Sequence, residues 1–155
     1  VCELHFDESL ILKDIDVNSR EELLRTMAAN LFSKGLVKES FIDAVIEREK
    51  TFPTGLPTNR ISVAIPHTDS EHVNKKAISI AILKEPVKFG VMGEMDADTP
   101  VQIVFMLAID EKDSHLVVLQ KLMELFQNEE ELQFLILEEN KTNIKKRLTK
   151  HFQIQ

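Results

Sequence analysis

Five histidines are spread along the 155 residues, and two of them occupy positions where an imidazole can do chemistry. His67 stands in Ile65-Pro66-His67-Thr68-Asp69, directly after an alternating apolar run that reads as a strand. Active groups of open α/β sheets gather just beyond strand ends, and a preceding proline, with φ held near about −65°, helps to aim the next side chain. An imidazole aimed in this way is a candidate nucleophile; the plainer reading is a turn histidine with a satisfied hydrogen bond. His115 follows Asp113 and Ser114 at the expected start of a leucine-rich helix. A helix N-terminus carries about half a positive charge, which favours neutral imidazole and draws in a phosphate or other anion. The plainer reading there is an exposed helix-start histidine. Arg48 lies in the last turn of another expected helix. Its planar fork can hold two phosphoryl oxygens, although the flanking Glu47 and Glu49 equally suit an ordinary surface salt bridge.

Rival chemistries fit less well. The segment from Pro66 to His72 offers His67, Asp69, Glu71 and His72 as zinc ligands, but it has neither a His-Glu-x-x-His spacing nor paired cysteines, so no metal site is expected. Four glycines in total supply neither a Gly-x-Ser-x-Gly elbow nor a phosphate-binding Gly-x-x-x-x-Gly-Lys loop, and ATP is not the expected donor. The single cysteine, Cys2, can form no internal disulfide. Nine Phe without Trp or Tyr argue against large aromatic platforms for carbohydrate. With 26 Asp and Glu against 19 Lys and Arg, the formal charge is −7, which gives no uniform attraction to nucleic acid or anionic membranes. No window approaches the ~18 apolar residues of a membrane helix, and the first ten residues lack the order of a signal peptide. A cytoplasmic protein without direct membrane insertion is expected. At 43% hydrophobic and 29% charged residues, the composition is that of one soluble domain with a real core.

The elements that must hold these side chains follow from periodicity. Residues 8–13 read as a short strand, with a place at a sheet edge expected. Ser19 and Glu22 form a capping-box pair, and Leu23, Leu24, Met27, Ala28, Leu31 and Phe32 then recur at helical spacing up to Gly35. A second helix is expected from Ser40, with Phe41, Ile42, Val45 and Ile46 on its apolar side. The two prolines and one glycine between Thr51 and Asn59 mark an ordered or functional loop. Ile61 to Ile65 reads as a strand that stops at Pro66. Ala77–Leu83 and Val101–Ile109 are nearly continuous apolar runs, as inner strands are, with a short strand at Val87–Phe89 between them. Asp113 and Ser114 are placed to cap a helix carrying Leu116, Leu119, Leu122, Met123 and Phe126. Helices over 129–138 and over 142–152, the latter capped by Thr142, end the chain. Strands interspersed with covering helices specify a three-layer α/β domain over residues 1–155.

Together these residues resemble a known family. Glu47-Arg48-Glu49, Phe52-Pro53-Thr54-Gly55-Leu56, the run from Ile61 to Thr68, and Ser114-His115-Leu116 are similar, in order, to the IIA components of the bacterial phosphoenolpyruvate-dependent sugar phosphotransferase system. The likeness is to the fructose/mannitol class. Phe-Pro-Thr-Gly, and Pro-His-Thr in place of the commoner Pro-His-Gly, most resemble the galactitol-type proteins. The resemblance covers almost the whole chain. It implies a mixed, mostly parallel sheet of about five strands with helices on both faces. It further implies a phosphocarrier in which His67 takes a phosphoryl group from phosphohistidine on HPr and passes it to a cysteine thiolate of a IIB component. That IIB component would serve a sugar- or alditol-binding IIC membrane transporter.

His115 matches the family's second histidine and Arg48 its arginine; no bound magnesium or other cofactor is implied. Thr68, beside His67, is a candidate hydroxyl donor to the phosphoryl group, with Thr54 a weaker one. His5, His72 and His151 keep structural readings, and the accepting thiol, absent from any IIB-like motif around Cys2, is expected on a separate chain. A partly apolar docking surface around His67 would draw on Phe52, Leu56, Val91 and Met92, each of which equally suits core packing. The alternative function is a regulatory IIA-like module that binds partners according to phosphorylation state. The length of the chain, without a fused regulator, leans toward transport.

Overall fold

The computed structural model describes residues 4–58, 60–94, 96–109 and 112–152, with the backbone alone for 112–116. Cys2 lies outside these residues. The elements are β1 (Ile11–Ile15), α1 (Arg20–Ser33), α2 (Ser40–Thr51), β2 (Gly55–Leu56), β3 (Ser62–Ala64), β4 (Ala77–Gly90), β5 (Asp98–Ala108), α3 (Lys112–Phe126), α4 (Glu129–Leu137) and α5 (Lys141–Phe152). The strands form one five-stranded mixed sheet in the order β1-β4-β5-β3-β2. β1 pairs parallel with β4 and β3 parallel with β5, whereas β4–β5 and β2–β3 are antiparallel.

Alternation of side chains along the inner strands builds two cores. Ile78, Ile80, Ile82, Ile103, Phe105 and Leu107 point to one face, where Val118 and Leu122 of α3, Leu132 of α4 and Leu148 of α5 cover them. Ala77, Ala81, Leu83, Val104, Met106 and Ala108 point to the other face, beneath Leu24 and Met27 of α1 and Phe41 and Val45 of α2. Nearly continuous apolar sequence in β4 and β5 is thus the consequence of burial on both faces. This is the mixed α/β sandwich expected from the sequence.

Several boundaries differ for identifiable reasons. The strand expected at 8–13 begins at Ile11, because the Asp7 carboxylate accepts the Ser9 N–H at 2.8 Å and caps a 3₁₀ turn over Glu8–Leu10. Ser19 caps α1 as expected, its Oγ accepting the Glu22 N–H at 3.1 Å. The returning arm reaches one residue further: Glu22 Oε2 accepts the N–H of Asn18 at 2.9 Å. Phe32, assigned to the apolar face of α1, is exposed. The separate strand expected at Val87–Phe89 is the second half of β4, which continues past an irregularity between Ile82 and Val87. Asp113 and Ser114 lie inside the first turn of α3 rather than before it. Asn140, not Thr142, caps α5, its Oδ1 accepting the Thr142 N–H at 2.8 Å.

Candidate functional site

Three pieces of chain converge because of strand direction. β3 and β5 run parallel, so the residues after both emerge at one end of the sheet. There the backbone of His67 bridges that of Leu107, and the Leu107 N–H donates to the Pro66 carbonyl at 2.9 Å. α3 follows β5, so its first turn, which holds the backbone of His115, starts at this same end. The His115 side chain lies outside the described residues. β2 runs antiparallel to β3, so the segment that enters it from the end of α2 also arrives here. The Ile65 N–H accordingly donates to the Thr54 carbonyl at 3.4 Å.

His67 is half-buried, and its Nδ1 lies 2.8 Å from the Ile65 carbonyl oxygen. A carbonyl can only accept, so Nδ1 carries a proton, and in the neutral ring the lone pair is on Nε2. Arg48 Nη1 lies 3.9 Å from Oδ1 of Asp69, two residues beyond His67. At that separation the pair is an electrostatic contact rather than a hydrogen bond, and it ties the end of α2 to the His67 loop. The guanidinium carbon stands 5.1 Å from the centroid of the Phe52 ring. The Arg48 Nε is buried without a hydrogen-bond partner among the described residues. Thr68 is half-buried next to His67.

Thr54 has a different commitment from the one expected. Its Oγ1 donates to Oε1 of Glu49 at 2.7 Å and its N–H to Oε2 at 2.8 Å, in a buried setting. The hydroxyl therefore serves a carboxylate rather than an incoming anion. Glu49, which the sequence paired with Glu47 as a surface flank of Arg48, is only 3% exposed. Burial raises its carboxyl above the ordinary range, while the two bonds from Thr54 and the charge of Arg20 act in the opposite direction. The overlooked signal was spacing. Phe41, Val45 and Glu49 recur at intervals of four, so Glu49 continues the buried stripe of α2.

Three further histidines make hydrogen bonds elsewhere in the fold. His5 Nε2 lies 2.9 Å from Asp7, His72 Nδ1 2.8 Å from the Ser40 hydroxyl, and His151 Nε2 2.7 Å from the Lys121 carbonyl. Among the described residues no three His, Cys, Asp or Glu side chains come together as a metal site would require, and no helix is long and apolar enough to cross a membrane. Of the suggested docking residues, Phe52 and Met92 are 59% and 39% exposed, Leu56 is half-buried and Val91 is buried.

The family model described as "Phosphoenolpyruvate-dependent sugar phosphotransferase system, EIIA 2" matches residues 4–151. The chain is 32% identical over 104 residues to the transcriptional regulator ManR of Bacillus subtilis, which is 67% of this chain but only 14% of the length of that protein. It is 29% identical over 117 residues to the galactitol-specific EIIA component of Escherichia coli K12, covering 76% of this chain and 77% of that one. Among solved structures it is similar to the complex of enzyme IIAMTL with phosphorylated enzyme IIBMTL from Escherichia coli, with a TM-score of 0.75 at 20% identity. That match covers 98% of this chain and 99% of the other, and shows a shared fold.

Proposed function

Because the chain belongs to the EIIA 2 family of the phosphoenolpyruvate-dependent sugar phosphotransferase system, we propose that it carries a phosphoryl group on His67 as a single IIA-like unit. The observation that carries this reading is the 2.8 Å bond from His67 Nδ1 to the Ile65 carbonyl, which leaves Nε2 as the nucleophilic nitrogen of the neutral ring. The Nε2 lone pair attacks the phosphorus of phosphohistidine on HPr. A new N–P bond forms as the donor's N–P bond breaks and its imidazole leaves. A cysteine thiolate of a IIB component then attacks the same phosphorus, and His67 recovers its lone pair.

Negative charge spreads over the equatorial oxygens during each transfer, so catalysis rests on alignment and positive potential. Arg48, drawn toward the His67 loop by Asp69, supplies that charge. In the proposed arrangement His115 and the start of α3 contribute donors from the opposite side, and the Thr68 hydroxyl contributes one beside the ring. The phosphoryl group ultimately reaches a sugar or alditol entering through a IIC membrane transporter. The 29% identity to a galactitol-specific EIIA component supports an alditol of that kind. A cytoplasmic location follows from these partners.

The likeness to the regulator ManR supports a second reading, in which phosphorylation of the same histidine controls a larger protein. Phosphorylation of this chain by phospho-HPr followed by addition of IIB separates the two. Transfer onward to the IIB cysteine supports transport, and a stable phosphoprotein that IIB cannot discharge supports regulation.

A further inference from the structure

Glu49 is a buried carboxylate at the end of α2, and phosphoryl transfer as written above makes no use of it. Burying such a group is costly unless both oxygens are occupied, and here both are. They accept the N–H and Oγ1–H of Thr54, at 2.8 and 2.7 Å, and so fold the Phe52-Pro53 turn back onto its own helix. The same Thr54 uses its carbonyl to accept the Ile65 N–H at 3.4 Å, the longest joint in the chain of contacts. Ile65 in turn offers its carbonyl to His67 Nδ1 at 2.8 Å. Beyond it, Pro66 fixes the backbone and holds the Leu107 N–H at 2.9 Å. A continuous path thus runs from the Glu49 carboxylate through Thr54 and Ile65 to the proton on the imidazole. Arg48 is the preceding residue of the same helical turn, so the carboxylate that fixes Ile65 also fixes the root of the cation.

We propose that Glu49 is a positioning residue for His67: through Thr54 it holds the Ile65 carbonyl that selects the Nδ1–H tautomer and keeps Nε2 aimed at phosphorus. This rests on the phosphocarrier reading above. The position demands an acceptor that reaches two donors of one residue. Glutamine satisfies it by accepting the Thr54 N–H and donating its amide to the hydroxyl, whereas aspartate is one methylene too short.

The test uses the full chain carrying Thr54→Val, Thr54→Ser, Glu49→Gln or Glu49→Asp. Each is measured for the ¹⁵N shifts of the His67 ring, the saturating rate and KM of transfer from phospho-HPr, and the thermal midpoint. Thr54→Val is expected to move His67 from one tautomer to a mixture and to slow the saturating rate about tenfold with little change in KM. Thr54→Ser and Glu49→Gln should restore both. Should Thr54→Val not fold, Glu49→Asp carries the same expectation. Variants that are less stable but keep the wild-type tautomer and saturating rate would reduce the Glu49–Thr54 pair to a loop fastener and overturn the proposal. If phospho-HPr does not label the wild type at all, the phosphocarrier reading fails, while the ring shifts still decide the positioning role.

Discussion

Arg48 and Thr68 are the side chains, besides His67, on which the proposed phosphoryl transfer depends. The Arg48 guanidinium is held by a long ion pair to Asp69 and a stacked Phe52, neither of which neutralises it as a bidentate carboxylate would. In the proposed transfer its charge is needed most when the phosphoryl group is between donor and acceptor. Arg48→Ala should therefore slow single-turnover transfer about 100-fold while changing HPr affinity far less. Equal losses in rate and affinity, read by rapid quench and by titration, would assign Arg48 to docking instead. Thr68→Val should slow transfer measurably if the hydroxyl meets the phosphoryl group, and a wild-type rate would remove it from the site. The position of His67 just past a strand was legible because strand, proline and histidine follow one another in sequence. Glu49 was not, since a carboxylate within Glu-Arg-Glu-Lys reads as solvated until its place on the apolar stripe is weighed.

At the scale of elements, the turn between α2 and β3 is held from two sides. Gly55 pairs with Ala64 on one side and bridges Val91 on the other, with the Met92 N–H donating to its carbonyl at 2.9 Å. A Cβ at Gly55 would stand 2.5 Å from the Gly90 carbonyl oxygen and 3.2 Å from Phe89 Cβ. Gly55→Ala should lower unfolding stability by about 1–3 kcal/mol in urea titrations, and an unchanged midpoint would mean that the β4–β5 turn yields without cost. The raised pKa of Glu49 gives the same region a pH signature. A folded-state value above the unfolded one means that the folded chain binds the proton more tightly. The resulting stability is fully present below the unfolded carboxylate value of about 4.3 and is lost as pH rises through the folded one. The urea midpoint of the wild type relative to Glu49→Gln should therefore rise as pH falls from neutrality, and a difference independent of pH would contradict a desolvated carboxylate. Helices and inner strands were legible from their periods of 3.6 and 2. The continuity of β4 through Pro86 and the start of β1 after a capped turn were not, because both depend on pairing with distant strands.

The whole molecule presents its candidate site at one end of a sheet covered on both faces, with the exposed Phe52 just after α2 and the exposed Met92 in the β4–β5 turn, where its N–H donates to the Gly55 carbonyl. In the proposed relay a phosphoryl donor precedes this chain and a IIB cysteine follows it, the chain's own Cys2 lying in no IIB-like motif. The family was legible in the sequence as an ordered set of motifs, whereas convergence of His67, Arg48 and the start of α3 required the directions of β2, β3 and β5. The most direct measurement incubates the chain with labelled phosphoenolpyruvate, enzyme I and HPr, beside His67→Gln. About one acid-labile phosphoryl group per wild-type chain is expected, and none on His67→Gln. A folded wild type that takes no label, or a His67→Gln variant that takes as much, would contradict it.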